Sequence, residues 1–188
     1  MNYPLTYVRT LLLGMRCHSF GKGNQVGPSV HVVHPEYVSI GSKVVIHKDT
    51  IIHVAPKDKR RKDAVVTIGD NVHLSFRTWI AGRVGITIGD HVGFAPGVVI
   101  QDYIHGYDDP DVPIKEQALS GEAPIKIGSG CVLGANVIVL PGVTIGKHCM
   151  IGGNAVVAKD IPDYSLAVGN PARVVKRYDA GSSAWVRV

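Results

Sequence analysis

Residues 127–157 read IGSGCV-LGANVI-VLPGVT-IGKHCM-IGGNAV-V, and an aliphatic residue opens every group of six: Ile127, Leu133, Val139, Ile145, Ile151 and Val157. Gly or another small residue often follows, and a small or aliphatic residue stands in the fifth place. A helix would repeat its apolar positions every 3.6 residues and a lone strand every second one; a period of six fits neither. It fits short strands joined by tight turns and stacked as a solenoid, each coil burying its apolar side against the next. If three groups of six close one coil, Ile127 stacks on Ile145, Leu133 on Ile151 and Val139 on Val157. The same arithmetic places Cys131 and Cys149 in one inward column, neighbours at the ~4.8 Å spacing of adjacent strands.

Working outward, the period is present but less regular. Ile40, Ile46 and Ile52 hold it, and PKDKRRKD (56–63) interrupts it. It resumes at Ile68, Leu74, Ile80 and Ile86, slips by two residues around Gly85-Ile86-Thr87, and restarts at Ile88, Phe94 and Ile100. It then fails from Gln101 to Pro124 before returning at Ile127. The expected organisation is one all-β domain over 1–188. Residues 1–25 form an N-terminal helix or cap, 26–170 a β-helix with loops at 56–63 and 101–124, and 171–188 a C-terminal cap. Within the cap, ARVVKRY reads as a short helix or an extended segment.

Composition agrees with such a coil. Twenty-two glycines and eleven prolines suit a fold made largely of turns, and 6% aromatics is low for a conventional sandwich core. Cys17, Cys131 and Cys149 form an odd set without paired spacing, which points to a reducing compartment and a cytoplasmic protein. No apolar run reaches the ~18 residues of a membrane span. LTYVRTLLLGMR, at 5–16, reads as a packed or membrane-surface helix and not as a signal peptide. Much of the formal net charge of +5 lies in Lys57, Lys59, Arg60, Arg61 and Lys62. That loop reads as a solvated insertion or as a recruiter of an anionic glycan; without a recognition motif or aromatic platform, nucleic acid is not an expected partner. With LLLGMR, it also allows peripheral contact with an anionic membrane. The histidines form no compact ligand motif, and no metal is expected.

The interruption QDYIHGYDDPDVPIKEQALSGEAP carries His105 among acidic residues and prolines. Long loops held by a rigid scaffold are a common place for functional residues. DYIHGYDDPDVPI, then IGSGCVLGANVIVLPGVTIG, then IGGNAVVAKDIPDYSLAVGNPARVVKRY together resemble the left-handed parallel β-helix acyltransferases, in particular their sugar and surface-polysaccharide O-acetyltransferase branch. The similarity is closest over 88–178. The left hand of the coil comes from this resemblance, since general crossover rules favour a right-handed connection.

The resemblance implies a homotrimer with acetyl-CoA sites between subunits and a sugar or glycan acceptor. It places the catalytic histidine at His105. Neutral imidazole, with a pKa near ~6.5, suits the removal of a proton from a sugar hydroxyl and its return to the leaving thiolate. Asp102 is a candidate to orient that ring, and Glu116 a weaker one. The coenzyme positions match Ala135, Gly153, Ala158, Lys159, Arg173 and Lys176. Where relatives carry WIG this chain has Val132-Leu133-Gly134, so an aromatic wall is missing there. Two other functions remain open: N-acylation of a nucleotide-linked amino sugar, and a catalytically silent glycan-binding or assembly solenoid.

Overall fold

The computed structural model describes residues 3–188; Met1 and Asn2, part of the expected N-terminal cap, lie outside the described residues. A helix over Tyr3–Gly14 leads into a parallel β-helix of triangular cross-section. Three parallel sheets form its faces. The first face stacks strands from Ser19–Phe20 to Thr144–Ile145, the second from Gln25–Val26 to Ser165–Val168, and the third from His31–Val33 to Val156–Val157. The chain visits them in rotation, so within the coil sequential strands lie on different faces and each parallel pairing is with a strand one coil away. The C-terminal segment is extended: Arg173–Asp179 and Ala184–Arg187 continue the second face as antiparallel strands.

The six-residue period becomes the geometry of one face. Each opening aliphatic points inward, and the predicted stacks are present: Ile127 pairs with Ile145, Leu133 with Ile151 and Val139 with Val157. All six are buried, as are Cys131 and Cys149 in the next inward column. The amide of Cys149 donates to Cys131 Sγ at 3.3 Å. The neighbouring Cys149 side chain, and then burial, push the Cys131 thiol well above the usual range.

Corners need small residues because consecutive coils approach closely there. A Cβ added to Gly128 would lie 2.6 Å from the amide nitrogen of Lys147 and 2.8 Å from the carbonyl of Gly146. This is the physical content of the recurring Ile-Gly. Further along each corner one residue turns through the left-handed region, for example Asn136 at φ 58° and Asn154 at φ 60° on successive coils. At these two corners the residue is asparagine, whose short polar side chain tolerates that conformation.

Coil length varies, but only at one place. Phe20 pairs with Ile40, Ile40 with Ile68, Ile68 with Ile88, and Ile88 with Ile127, so inward positions stay in register across insertions of different size. Every insertion lies between the third face and the first: 34–37, 55–65, 83–85 and 102–124. The two-residue slip near Gly85 belongs to this series, with Ile86 and Ile88 both inward on the strand that follows. The excursions therefore stack along a single edge of the prism.

Candidate functional site

The long excursion has its own order. Ile104–His105 pairs antiparallel with Leu119–Ser120, and the stem is closed by Gly106 donating to the carbonyl of Ala118 at 2.9 Å. His105 is exposed on this stem, and among the described residues no hydrogen bond or ring contact engages its imidazole. Glu116 ends a short 3-10 turn, Ile114–Glu116, and is exposed. The aspartates beyond His105 organise the tip: Asp109 accepts from the amide of Asp111 at 3.0 Å, and Gln117 donates to the carbonyls of Asp109 and Val112.

Asp102 is fully buried. Its carboxylate accepts from the amides of Arg83, Val84 and Gly85 at 2.8–3.0 Å, capping the widened corner of the preceding coil. Those contacts turn the carboxylate toward the backbone, and it makes no hydrogen bond to His105. Its place is at the root of the loop, where Ala123 also donates to its carbonyl at 3.0 Å. Burial, and then the Asp102 charge, push the phenol of neighbouring Tyr103 upward.

A second anchor was not visible in the sequence. Glu122 is held by both Lys57 and Arg83. Hydrogen bonds from Lys57 and then Arg83 hold its carboxyl below the usual carboxylate range. Arg61 donates to the carbonyls of Val84 at 2.9 Å and Ala64 at 3.1 Å, and Tyr37 to the carbonyl of Lys59 at 3.1 Å. The basic loop and the histidine loop are thus clamped to one corner. The slip at Gly85 was the one sequence signal pointing there.

The expected coenzyme positions gather around the third face. Pro96, Ala135 and Gly153 follow the paired second-face strands and occupy equivalent places on successive coils at one end of that face. Ala135 and Gly153 are exposed; Ala158 and Lys159, also exposed, stand beyond its other end. Between these ends runs an outward apolar strip of Trp79, Val99, Ile138 and Val156. The first face presents Ser19, Ser39, Thr67, Thr87, Lys126 and Thr144 outward instead. Arg173 begins a strand directly after Ala172, whose amide donates to the carbonyl of Val156, so it joins this group. Lys176 pairs with Leu166 on the second face and stands apart from it. Val132 is outward on the second face beside Met150, away from the apolar strip. Among the described residues no group of three or more His, Cys, Asp or Glu side chains is arranged to hold a metal ion.

Comparison with known proteins identifies the repeat. Residues 124–159 match the profile of the bacterial transferase hexapeptide, six repeats. That segment carries the repeat of the hexapeptide-repeat transferases.

Among curated relatives, a Mycobacterium tuberculosis protein named as an acetyltransferase is 37% identical over 78% of this chain and 52% of its own length. An Escherichia coli protein named as a lipopolysaccharide biosynthesis O-acetyl transferase is 34% identical over 64% of this chain and 65% of its own. The chain thus spans about half to two thirds of these relatives. A crystal structure of AntD, an N-acyltransferase from Bacillus cereus in complex with dTDP and 3-hydroxybutyryl-CoA, overlays with a TM-score of 0.75. That overlay covers 93% of this chain and 90% of AntD at 22% identity, which speaks for a shared fold alone. The hexapeptide-repeat chain has the left-handed parallel β-helix fold expected from its sequence.

Proposed function

We propose that this chain transfers an acetyl or related acyl group from coenzyme A to a sugar-related acceptor, with His105 as general base. The observation that carries the reading is the placement of His105. It is exposed on the stem of the one long loop, its imidazole is free among the described residues, and a buried carboxylate and an ion-paired cluster brace the loop's root. A neutral imidazole so placed can take the proton of an attacking hydroxyl as oxygen bonds to the thioester carbon. The carbon–sulfur bond then breaks, and the proton passes to the departing thiolate, giving ester and free thiol. Asp102 serves as a positioning residue through the 83–85 corner and not as a direct partner of the imidazole.

For coenzyme A, Ala135 and Gly153 offer exposed backbone without bulky side chains, and Ala158, Lys159 and Arg173 stand near the same face. Small side chains let a pantetheine arm approach the main chain, and the basic groups suit its phosphates. Bound coenzyme supplies the activated acyl group. Lys176 is the least suited of the proposed contacts by position. The apolar third-face strip, set against the Ser/Thr-rich first face, supports a homotrimer that covers the third face and shares its sites between subunits. A cytoplasmic setting is part of this proposal. No helix of the described chain is long and apolar enough to cross a membrane.

The accepting atom separates two readings. Identity to the lipopolysaccharide O-acetyl transferase supports ester formation. Fold overlap with AntD, together with cations clamped beside the histidine loop, supports amide formation on a nucleotide-linked amino sugar, and this second reading has the broader structural support. An amine is a better nucleophile than an alcohol and depends less on a base, so the two differ in what His105→Ala does. The test is acyl transfer from radiolabelled acetyl-CoA to free, phosphorylated and nucleotide-linked sugars and amino sugars, with ester or amide identified in the product. Ester formation that falls at least ~100-fold in His105→Ala supports the base. Equal transfer by the variant removes His105 from that role, and no transfer to any acceptor removes the enzyme reading in favour of a binding solenoid.

A further inference from the structure

The excursion at 56–63 stands on the same edge as the histidine loop, two coils away, a separation of about 10 Å at ordinary strand spacing. Of its five cations, two are committed. Lys57 pairs with Glu122 at the root of the histidine loop, and Arg61 donates to the carbonyls of Val84 and Ala64. These contacts anchor the excursion. Lys59 and Lys62 are exposed and have no side-chain partner among the described residues, while Arg60, 96% exposed, has only Asp58 at 3.8 Å. The anchoring of the segment also uses its main chain, through Tyr37 and the carbonyl of Lys59, and so does not consume these charges.

Resting on the acyl-transfer reading, we infer that Lys59, Arg60 and Lys62 form a phosphate-binding site for the acceptor, so that the acceptor is a phosphate-bearing sugar. A merely solvated loop has no need of clamps to the corner that carries the catalytic excursion. Here two of the five cations are spent on those clamps, and the remaining three are held on the reaction edge. Arginine and lysine together suit a phosphate or diphosphate, the first by its fork of donors and the second as a point charge. The tip of the histidine loop carries Asp108, Asp109 and Asp111, so the edge is polarised, with an acidic tip above a basic root. A phosphate is favoured at the root and repelled at the tip, which orients the acceptor's sugar toward the intervening stem where His105 lies. The coenzyme positions are distinct in place, around the third face and its upper coils.

The test compares the intact chain with a Lys59→Gln/Arg60→Gln/Lys62→Gln variant, which leaves Lys57 and Arg61 in place. Calorimetry with inorganic pyrophosphate, in the presence of saturating coenzyme A, reads the site without requiring turnover. Binding should weaken ~10–100-fold in the variant, and binding to the intact chain should itself weaken with salt. In acyl transfer, the kcat/KM ratio of phosphate-bearing to neutral acceptors should fall by a similar factor, with KM for acetyl-CoA unchanged. A sugar 1-phosphate and a nucleoside diphosphate sugar form separate arms, and preference between them names the source of the phosphate. Equal pyrophosphate binding by both proteins overturns the inference. So does a rise in KM for acetyl-CoA with an unchanged acceptor ratio, which would assign the loop to the coenzyme. If neither protein transfers an acyl group to any acceptor, the acyl-transfer reading fails, while the pyrophosphate titration still decides the phosphate site.

Discussion

Replacing Asp102 with alanine removes one acceptor group from three backbone amides at once. Arg83, Val84 and Gly85 donate to its carboxylate at 2.8–3.0 Å, and the side chain is wholly buried. A buried donor left without a partner costs about 1–3 kcal/mol, so three give a nominal ~3–9 kcal/mol. Water entering beside an exposed loop can satisfy part of that loss, which places the expected destabilisation at about 3–5 kcal/mol. For a chain of this size, at ~2–4 °C per kcal/mol, the melting temperature should fall by about 6–20 °C. The local assay is amide hydrogen exchange: the amides of Arg83, Val84 and Gly85 should lose protection before those of core strands such as Ile125–Ile127. Asp102→Asn keeps one oxygen acceptor but turns an N–H toward the corner, so it should fall between wild type and alanine. If Asp102→Ala melts within ~1 °C of wild type and the three amides stay protected, the cap has no energetic importance and the reasoning fails. If stability is unchanged while acyl transfer collapses with a shifted pH profile, Asp102 acts on the chemistry directly.

Gly128→Ala forces a methyl group against the backbone of Gly146 and Lys147 and should cost ~1–3 kcal/mol; wild-type stability in chemical denaturation would mean the coils have room to separate. Leu133→Ala, in a fully buried stack with Ile151, should cost ~2–5 kcal/mol on the same assay, and a loss below ~1 kcal/mol would contradict the stacking. Glu122, whose folded pKa is held below its ordinary 4.5 by Lys57 and Arg83, stabilises the loop root above that ordinary value; the contribution disappears as pH falls through the depressed value. Limited proteolysis of residues 102–124 should therefore accelerate on acidification, with Glu122→Gln already fast at neutral pH; a variant as resistant as wild type would dismiss the clamp. Cys131 and Cys149 should resist thiol reagents until the chain unfolds, and rapid labelling of the native protein would show that their column is open.

The β-helix was legible because its information is local and repeated. One inward aliphatic per face, a small residue at the corner and a fixed period specify both the three faces and the stacks Ile127–Ile145, Leu133–Ile151 and Val139–Val157. The histidine loop was legible as a break in that period. The sequence of the C-terminal segment suits a short helix or an extended cap, and pairing with Ser165–Val168 makes it a strand. An apolar alternation such as ARVVKRY takes its conformation from the edge it meets.

What the amino-acid sequence determined by itself was the coil, its core columns and the two excursions. Tertiary structure alone decided that both excursions share one edge, and that Asp102 caps 83–85 while Glu122 joins Lys57 to Arg83. The proximity of Asp102 to His105 along the chain gave no account of where the carboxylate turned, because an inward position brought it to the preceding coil. Glu122 meets a partner 65 residues away at Lys57 and another 39 away at Arg83. Such pairs leave no local periodicity. They arise because a coil of variable length must still return its inward residues to register, which moves every surplus residue to the one corner where the backbone can leave the stack.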